Sequence, residues 1–332
     1  MRSRFVQFTA PLQVEVAERD VPAPAEGQAL VRTVRSLIST GTELTILRGG
    51  HCSGSLWEAY GRFPCSVGYC NVGVAEAVGP GCRHVRVGDR VASEGPHAER
   101  FVVAEADLRA VPSGVSDDEA LFATIAEIVM HGVRLSAPVL GDAAVVCGLG
   151  LLGQLTLTFA RFCGAWPVVG VDHMPFRCEA ATRRGAAAAG SPADALRLVA
   201  EHTDGRMADI AYEVTGNPEA IAPLILLLRR QGRLMLVSSP RGPSSLDFHD
   251  MVNARGTVIV GAHNFTHASV PNEYNRWTRH ADAALYLALV SAGQVSACDL
   301  LTATYPASEA PATYRRLLDR PGDTLALALD WS

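Results

Sequence analysis

The 332-residue chain contains no lysine: all 29 of its basic residues are arginine. That excludes a lysine Schiff base, a lysine general base and the phosphate-gripping lysine of a P-loop. Long apolar runs are missing too. A leading candidate, residues 221–228, stops at Arg229 and Arg230, well short of the roughly 18 residues a membrane span needs. The N-terminus (MRSRFVQFTAPLQVEVAERD) alternates polar and apolar residues and lacks the continuous apolar core of a secretory signal. A soluble, cytoplasmic protein with no membrane partner is therefore expected. The eight cysteines are Cys52, Cys65, Cys70, Cys82, Cys147, Cys163, Cys178 and Cys298, and no two form a C-x-x-C pair. Without a secretory signal they read as small hydrophobes, not as a disulfide framework. A net charge of −5 with no basic stripe offers nothing to a nucleic-acid backbone.

What is present is material for a packed core. Hydrophobic residues make up 48% and charged residues 19%, which excludes a disordered chain, and the length fits about two domains. Residues 1 to about 110 read as short strands punctuated by Gly and Pro, among them Gln28–Thr33, Asn71–Val78, Arg90–Ala92 and Glu99–Val103. This spacing predicts a compact β-barrel-like domain. Asp117–Leu135 has helical spacing and an acidic first turn. From Ala143 strand and helix alternate: strands at Ala143–Cys147, Pro167–Val171, Asp209–Val214, Arg233–Ser238 and Thr257–Gly261, with helices between, one of them spanning Pro218–Arg230. Such βαβ repetition predicts an α/β, doubly wound parallel sheet. The last 60 or so residues return to helix and strand and end in the strand-like Thr324–Leu329.

The strongest signal is Val145-Val146-Cys147-Gly148-Leu149-Gly150-Leu151-Leu152-Gly153, a G-x-G-x-x-G directly after an apolar strand and directly before a helix. Gly148 permits the tight turn, Gly150 the approach of a pyrophosphate, and Gly153 close helix–strand packing. The pyrophosphate then lies on the N-terminus of a helix that opens with Leu151 and Leu152. Asp172 follows Gly153 by 19 residues, at the end of the next strand. There a carboxylate accepts hydrogen bonds from the ribose hydroxyls and repels a 2′-phosphate, so the cofactor is read as NAD. His173 and Arg177 stand beside it, and Arg177 can soften that preference. Thr215, Ser238, Ala262 and His263 end three further strands and are read as cofactor contacts. Asn264 and His267 are read as facing the substrate, with Asn272, Asn275, Arg276 and Trp277 following.

Taken with Ile38-Ser39-Thr40-Gly41-Thr42-Glu43, Gly88-Asp89-Arg90-Val91 and the ending Leu329-Asp330-Trp331, the layout resembles the medium-chain dehydrogenase/reductase superfamily. The first and last of these motifs resemble the bacteriochlorophyllide dehydrogenase branch and its bi-domain, cyclitol and sugar oxidoreductase relatives. The resemblance implies a GroES-like β-barrel catalytic domain (1–130 and 273–332), an inserted Rossmann dinucleotide-binding domain (131–272) and a homodimer. It also implies where zinc ligands stand in zinc-dependent members. Thr40 occupies the Cys position, Tyr69 the His position, and only Glu127 keeps ligand chemistry, so the expectation is no metal. A rescued site from Cys70, Glu43, His51, Cys52 and Glu127 is the alternative, with Cys70 expected to pack in a barrel wall.

Without zinc, side chains must move the proton and stabilise the oxyanion. The resemblance nominates Thr42, Tyr69 and Glu127 as catalytic, and His51, on the loop after Thr42, is a further candidate. The expected activity is a zinc-independent NAD(H) oxidoreductase acting on a secondary alcohol or ketone of a polyhydroxylated ring, a small-molecule substrate. The rivals are a hydroxyethyl bacteriochlorophyllide-type dehydrogenase, a quinone-type enoyl reductase and a non-catalytic NAD-binding protein.

Overall fold

Alternation in the first twenty residues makes a hairpin. Strands β1 (Arg2–Ala10) and β2 (Gln13–Asp20) pair antiparallel, with Val6 opposite Val16, and β1 turns Val6 and Phe8 fully inward. The computed structural model describes Met1–Ser332 apart from Cys52, Ser53, Tyr274 and Pro321. It divides into two units, Met1–Ile125 with Ala283–Ser332, and Ala126–Asp282.

In the first unit, β3 (Gln28–Ile38) runs longer than its sequence signal because three strands share it. Helices α1 (Thr40–Arg48) and α2 (Leu56–Tyr60) follow, then β4 (Cys65–Ser66), β5 (Asn71–Val78), β6 (Arg90–Ser93), β7 (Arg100–Ala104) and β8 (Leu108–Ala110). The reading of Asp117–Leu135 as one helix is corrected: α3 (Asp117–Ala120) and α4 (Ala123–Ser136) are separate. The break falls at Leu121 and Phe122, both almost fully buried, which the core draws inward.

The second unit holds β9 (Ala144–Cys147), α5 (Leu151–Phe162), β10 (Val168–Val171), α6 (Pro175–Arg183), β11 (Ala188–Gly190), α7 (Ala195–His202), β12 (Ala208–Glu213), α8 (Ile221–Leu226), β13 (Leu228–Leu236) and β14 (Val258–Gly261). Its six strands are parallel in the order β11-β10-β9-β12-β13-β14. The valines of β9 and β10 are buried on both faces, as central strands of a helix-covered parallel sheet must be. The helix expected at Pro218–Arg230 ends at Leu226, and Arg229 and Arg230 already belong to β13. Buried Leu227 and Leu228 join the core there, and Gln231 adopts a φ of 60° that no α-helix allows.

The chain closes with α9 (Arg279–Ser291), β15 (Leu301–Pro306), α10 (Ala310–Asp319) and β16 (Ala326–Asp330). Strand β16 pairs antiparallel with β3, Leu327 opposite Ile38, and completes the seven-stranded sheet of the first unit. Phe8, Ile38, Leu44, Leu47, Tyr314, Leu327 and Trp331 form one buried cluster there, which fixes α1 against the sheet and α10.

Candidate functional site

The dinucleotide fingerprint folds as a strand–turn–helix. Gly148 adopts a φ of +94°, and a Cβ on it would lie 2.8 Å from the Val214 carbonyl carbon. A Cβ on Gly153 would lie 1.8 Å from the Gly148 oxygen, so helix and turn touch there. Gly150 differs: a Cβ would meet nothing nearer than Arg177 Nη1 at 3.9 Å. The fold itself leaves that space open, and a bound pyrophosphate fits it. Gly150 is also the N-cap of α5 without a side-chain cap, so the first-turn N–H groups of Leu151, Leu152 and Gly153 stand ready for an anion.

Asp172 ends β10, where two backbone donors hold its carboxylate. Leu149 N–H donates to Oδ2 at 2.7 Å and Met174 N–H to Oδ1 at 2.9 Å. Arg177 Nη1 stands 3.7 Å from Oδ2. Asp172, exposed His173, Pro175, Cys178, Glu179 and Ser191 border a groove of about 560 Å³. These residues fit the adenosine half of a nicotinamide dinucleotide. The Thr215 and Ser238 hydroxyls both turn to Glu213, a buried carboxylate that the sequence reading missed. Its only sequence signal is an acidic residue closing the apolar run Ile210-Ala211-Tyr212.

Ala262 is fully buried beneath Gly132 of α4. His263 Nδ1 accepts from Phe265 N–H at 3.1 Å, and burial lowers its imidazole from the usual range. His267 is buried, with its ring stacked on His131 at a centroid distance of 4.3 Å. Its Nε2 lies 3.2 Å from Asp282 Oδ2, but off the line a hydrogen bond needs. Asp282 is held by Arg134 at 2.7 Å, and the Arg134 guanidinium covers Trp277 at 3.4 Å. Asn264 opens a short 3-10 turn beside this cluster. Glu127 is buried on α4 of the same unit.

His131 donates to or accepts from the Thr266 hydroxyl at 3.0 Å, and its imidazole is held down to about 4 by burial and by His267, with Asp282 opposing. The unfolded chain, at about 6.5, therefore takes up this proton first on acidification. The contribution to stability is full above about pH 6.5 and is lost as the pH falls toward about 4. His131→Asn is expected to flatten that decline, measured as urea midpoints at about pH 7 and about pH 4.5; an unchanged decline would refute the assignment.

In the first unit the sequence-nominated hydroxyls meet. Ser39 is the N-cap of α1 yet caps no N–H; its hydroxyl instead hydrogen-bonds the Tyr69 phenol. Tyr69 in turn donates to Thr42 Oγ1 at 3.2 Å. The Tyr69 phenol is pushed well above the ordinary tyrosine range, by burial first and by Cys70 and Glu43 in addition, against the lowering effect of its two hydroxyl partners. It is a proton donor throughout any working pH. Cys70 is fully buried. The His51 ring lies 6.0 Å from that of Trp57, and a Cβ on Gly61 would stand 3.1 Å from its Nε2. Cys52 lies outside the described residues.

Behind the hydroxyls lies a buried polar chain that sequence reasoning did not find. Glu43 Oε1 accepts from Ser39 N–H at 2.8 Å, and Oε2 accepts from His97 Nε2 at 3.0 Å and from the Tyr314 hydroxyl. His97 Nδ1 meets Ser36 Oγ at 2.7 Å, and Trp331 Nε1 donates to that same oxygen at 2.9 Å. Glu43 thus gathers donors from α1, from α10 and from His97, and it locks the start of α1 where Ser39 and Thr42 sit.

Among the described residues, no group of three His, Cys, Asp or Glu side chains is arranged to hold a metal ion. Residues 152–279 match the family described as Zinc-binding dehydrogenase. L-threonine 3-dehydrogenase of Pyrococcus abyssi is 26% identical over 281 residues, covering 74% of this chain and 78% of that protein. D-guloside 3-dehydrogenase of Shigella flexneri is 28% identical over 270 residues, covering 79% of this chain and 75% of that protein. A solved short chain alcohol dehydrogenase of Escherichia coli CFT073, complexed with NADH, matches with a TM-score of 0.83 over 99% of both chains at 18% identity. The fold is the mixed α/β one of these dehydrogenases, a parallel Rossmann-type sheet and a separate antiparallel sheet domain. The chain is a dehydrogenase-type enzyme with a nicotinamide cofactor site.

Proposed function

We propose that this chain is a zinc-independent, NAD(H)-preferring oxidoreductase that interconverts a secondary alcohol and a ketone on a polyhydroxylated ring. The observation that carries the reading is the Tyr69 phenol seated between the Ser39 and Thr42 hydroxyls. Zinc takes about four ligands drawn from Cys, His and carboxylate, and three hydroxyls do not fit it. No step is therefore routed through the metal. Elemental analysis of the purified protein is expected to find far less than one zinc per chain. Stoichiometric zinc, with activity lost to a chelator and restored by zinc, overturns the reading.

Bound nicotinamide supplies or takes the hydride. The proton belongs to the hydroxyl chain. Tyr69 already donates to Thr42, so the Thr42 O–H is the free end of the chain and donates to the substrate oxygen. In the reductive direction that oxygen takes the Thr42 proton as its charge develops, Thr42 takes the Tyr69 proton, Tyr69 takes the Ser39 proton, and Ser39 regains one from solvent water. In the oxidative direction each proton moves the other way. The relatives named for threonine and for a D-guloside support a hydroxyl-bearing substrate, as does the polar run of Asn264, Asn272 and Asn275.

The preference for NAD rests on Asp172, whose two backbone donors leave lone pairs for ribose hydroxyls and negative charge against a 2′-phosphate. Asp172→Ala is expected to weaken NADH binding by about 1–3 kcal/mol, the worth of hydrogen bonds to a charged group, and to narrow the gap between NADH and NADPH. A parent enzyme with the higher kcat/KM for NADPH contradicts this.

A further inference from the structure

The Rossmann-type sheet consists of two mononucleotide-binding halves. Asp172 belongs to the first, made by β9, β10 and β11. The second half is made by β12, β13 and β14. It carries Glu213. This residue ends β12 with no exposed surface, and its carboxylate draws two separate loops together. In the loop after β12, Oε1 accepts from Thr215 N–H at 2.7 Å, Thr215 Oγ1 at 2.6 Å and Gly216 N–H at 2.9 Å. In the loop after β13, the Ser238 hydroxyl donates to Oε2. The Glu213 carbonyl accepts from Val237 N–H and Ser238 N–H, both at 3.1 Å.

The arrangement reaches the fingerprint. Asn217 N–H donates to Thr215 Oγ1 at 2.9 Å, so that hydroxyl is fixed from both sides. The Gly148 turn packs directly on this segment, since a Cβ there would lie 2.9 Å from Thr215 N. Between the two acidic residues, the Cys147 thiol is pushed up to about 12, by burial first, then by Glu213 and by Asp172. Glu213 is thus a buried carboxylate whose described partners are backbone and hydroxyl donors, placed where a parallel sheet binds ligands.

We infer that Glu213 is the positioning residue of the second mononucleotide half: it sets the loops after β12 and β13 so that they receive the nicotinamide mononucleotide end of the cofactor. It acts through Thr215, Gly216 and Ser238 and does not itself touch the reacting atoms. The inference rests on the nicotinamide-cofactor reading and on nothing about zinc or substrate.

The test is calorimetric binding of NADH and of AMP to the full chain and to Glu213→Gln, which keeps the shape but loses the charge that holds four donors. NADH binding by the parent tests the cofactor reading, and the ratio of variant to parent tests the inference. NADH is expected to weaken by about 10- to 100-fold, the scale of hydrogen bonds to a charged group, while AMP, which needs only the Asp172 half, stays within about twofold. General loosening of the fold weakens both ligands alike, so equal losses overturn the inference, as does unchanged NADH binding. Ser238→Ala removes one donor and keeps the carboxylate. It is expected to weaken NADH about threefold or more with AMP unchanged, and it decides the matter if Glu213→Gln does not fold; NADH and AMP both at parental affinity in Ser238→Ala then overturn the inference.

Discussion

Tyr69→Phe is expected to lower kcat by about 10²–10⁴-fold, the usual contribution of a general acid–base group, with cofactor binding unchanged. The phenyl ring fills the same half-buried space, so the change removes one hydroxyl from the Ser39–Tyr69–Thr42 chain and little else. Thr42 then loses its donor, and the proton that the substrate oxygen takes from Thr42 is not replaced. Thr42→Val breaks the same chain one link further on. The double variant is expected to be scarcely worse than either single one, because groups that act as a unit do not add. Steady-state kinetics with each variant decide it. Near-parental kcat in both removes Tyr69 and Thr42 from the proton path. A raised KM with parental kcat makes them substrate anchors only. Because burial and the neighbouring Cys70 and Glu43 keep the phenol protonated, no activity limb near neutrality is expected to come from Tyr69.

His97→Ala is expected to destabilise the first unit by about 3–5 kcal/mol, combining an under-satisfied buried carboxylate with the cavity left by a large buried side chain. His97 is fully buried and bridges Ser36 and Glu43. Its loss leaves the Glu43 carboxylate with Ser39 N–H and the Tyr314 hydroxyl. On the other side the Ser36 hydroxyl loses its partner, His97 Nδ1, while Trp331 keeps Ser36 Oγ as its acceptor. His97→Gln, which retains a donor, is expected to recover part of the loss. Urea denaturation followed by tryptophan fluorescence reads the effect, since Trp331 sits in the network itself. A change under about 1 kcal/mol, the size of one ordinary hydrogen bond, shows that the chain of contacts is incidental to stability.

Several residues could be assigned from local sequence because their chemistry is local. The Gly148–Gly153 turn lies between an apolar strand and a helix that its own glycines join, so its roles follow from nine consecutive residues. Asp172 was legible because βαβ spacing fixes where the second strand ends. The parallel sheet was legible because strands buried on both faces read as unbroken apolar runs. Limits set by packing were not. The break between α3 and α4 and the early end of α8 depend on which leucines the core takes up, and periodicity in one segment does not carry that information.

The distinction is sharpest at the sites. By itself the sequence determined the type of fold and the cofactor end of the parallel sheet, each from signals spanning a few residues or one βαβ unit, while the nomination of Thr42 and Tyr69 came from the family resemblance. Only the tertiary structure decided what those residues meet. It joined Ser39 to Tyr69 across 30 positions and Tyr314 to Glu43 across 271, turned Thr215 and Ser238 onto Glu213, and kept His51 against its own loop. Hydrogen bonds of that kind form between groups that burial has stripped of water. Which groups are buried together is a property of the packed chain, and no stretch of sequence carries it alone.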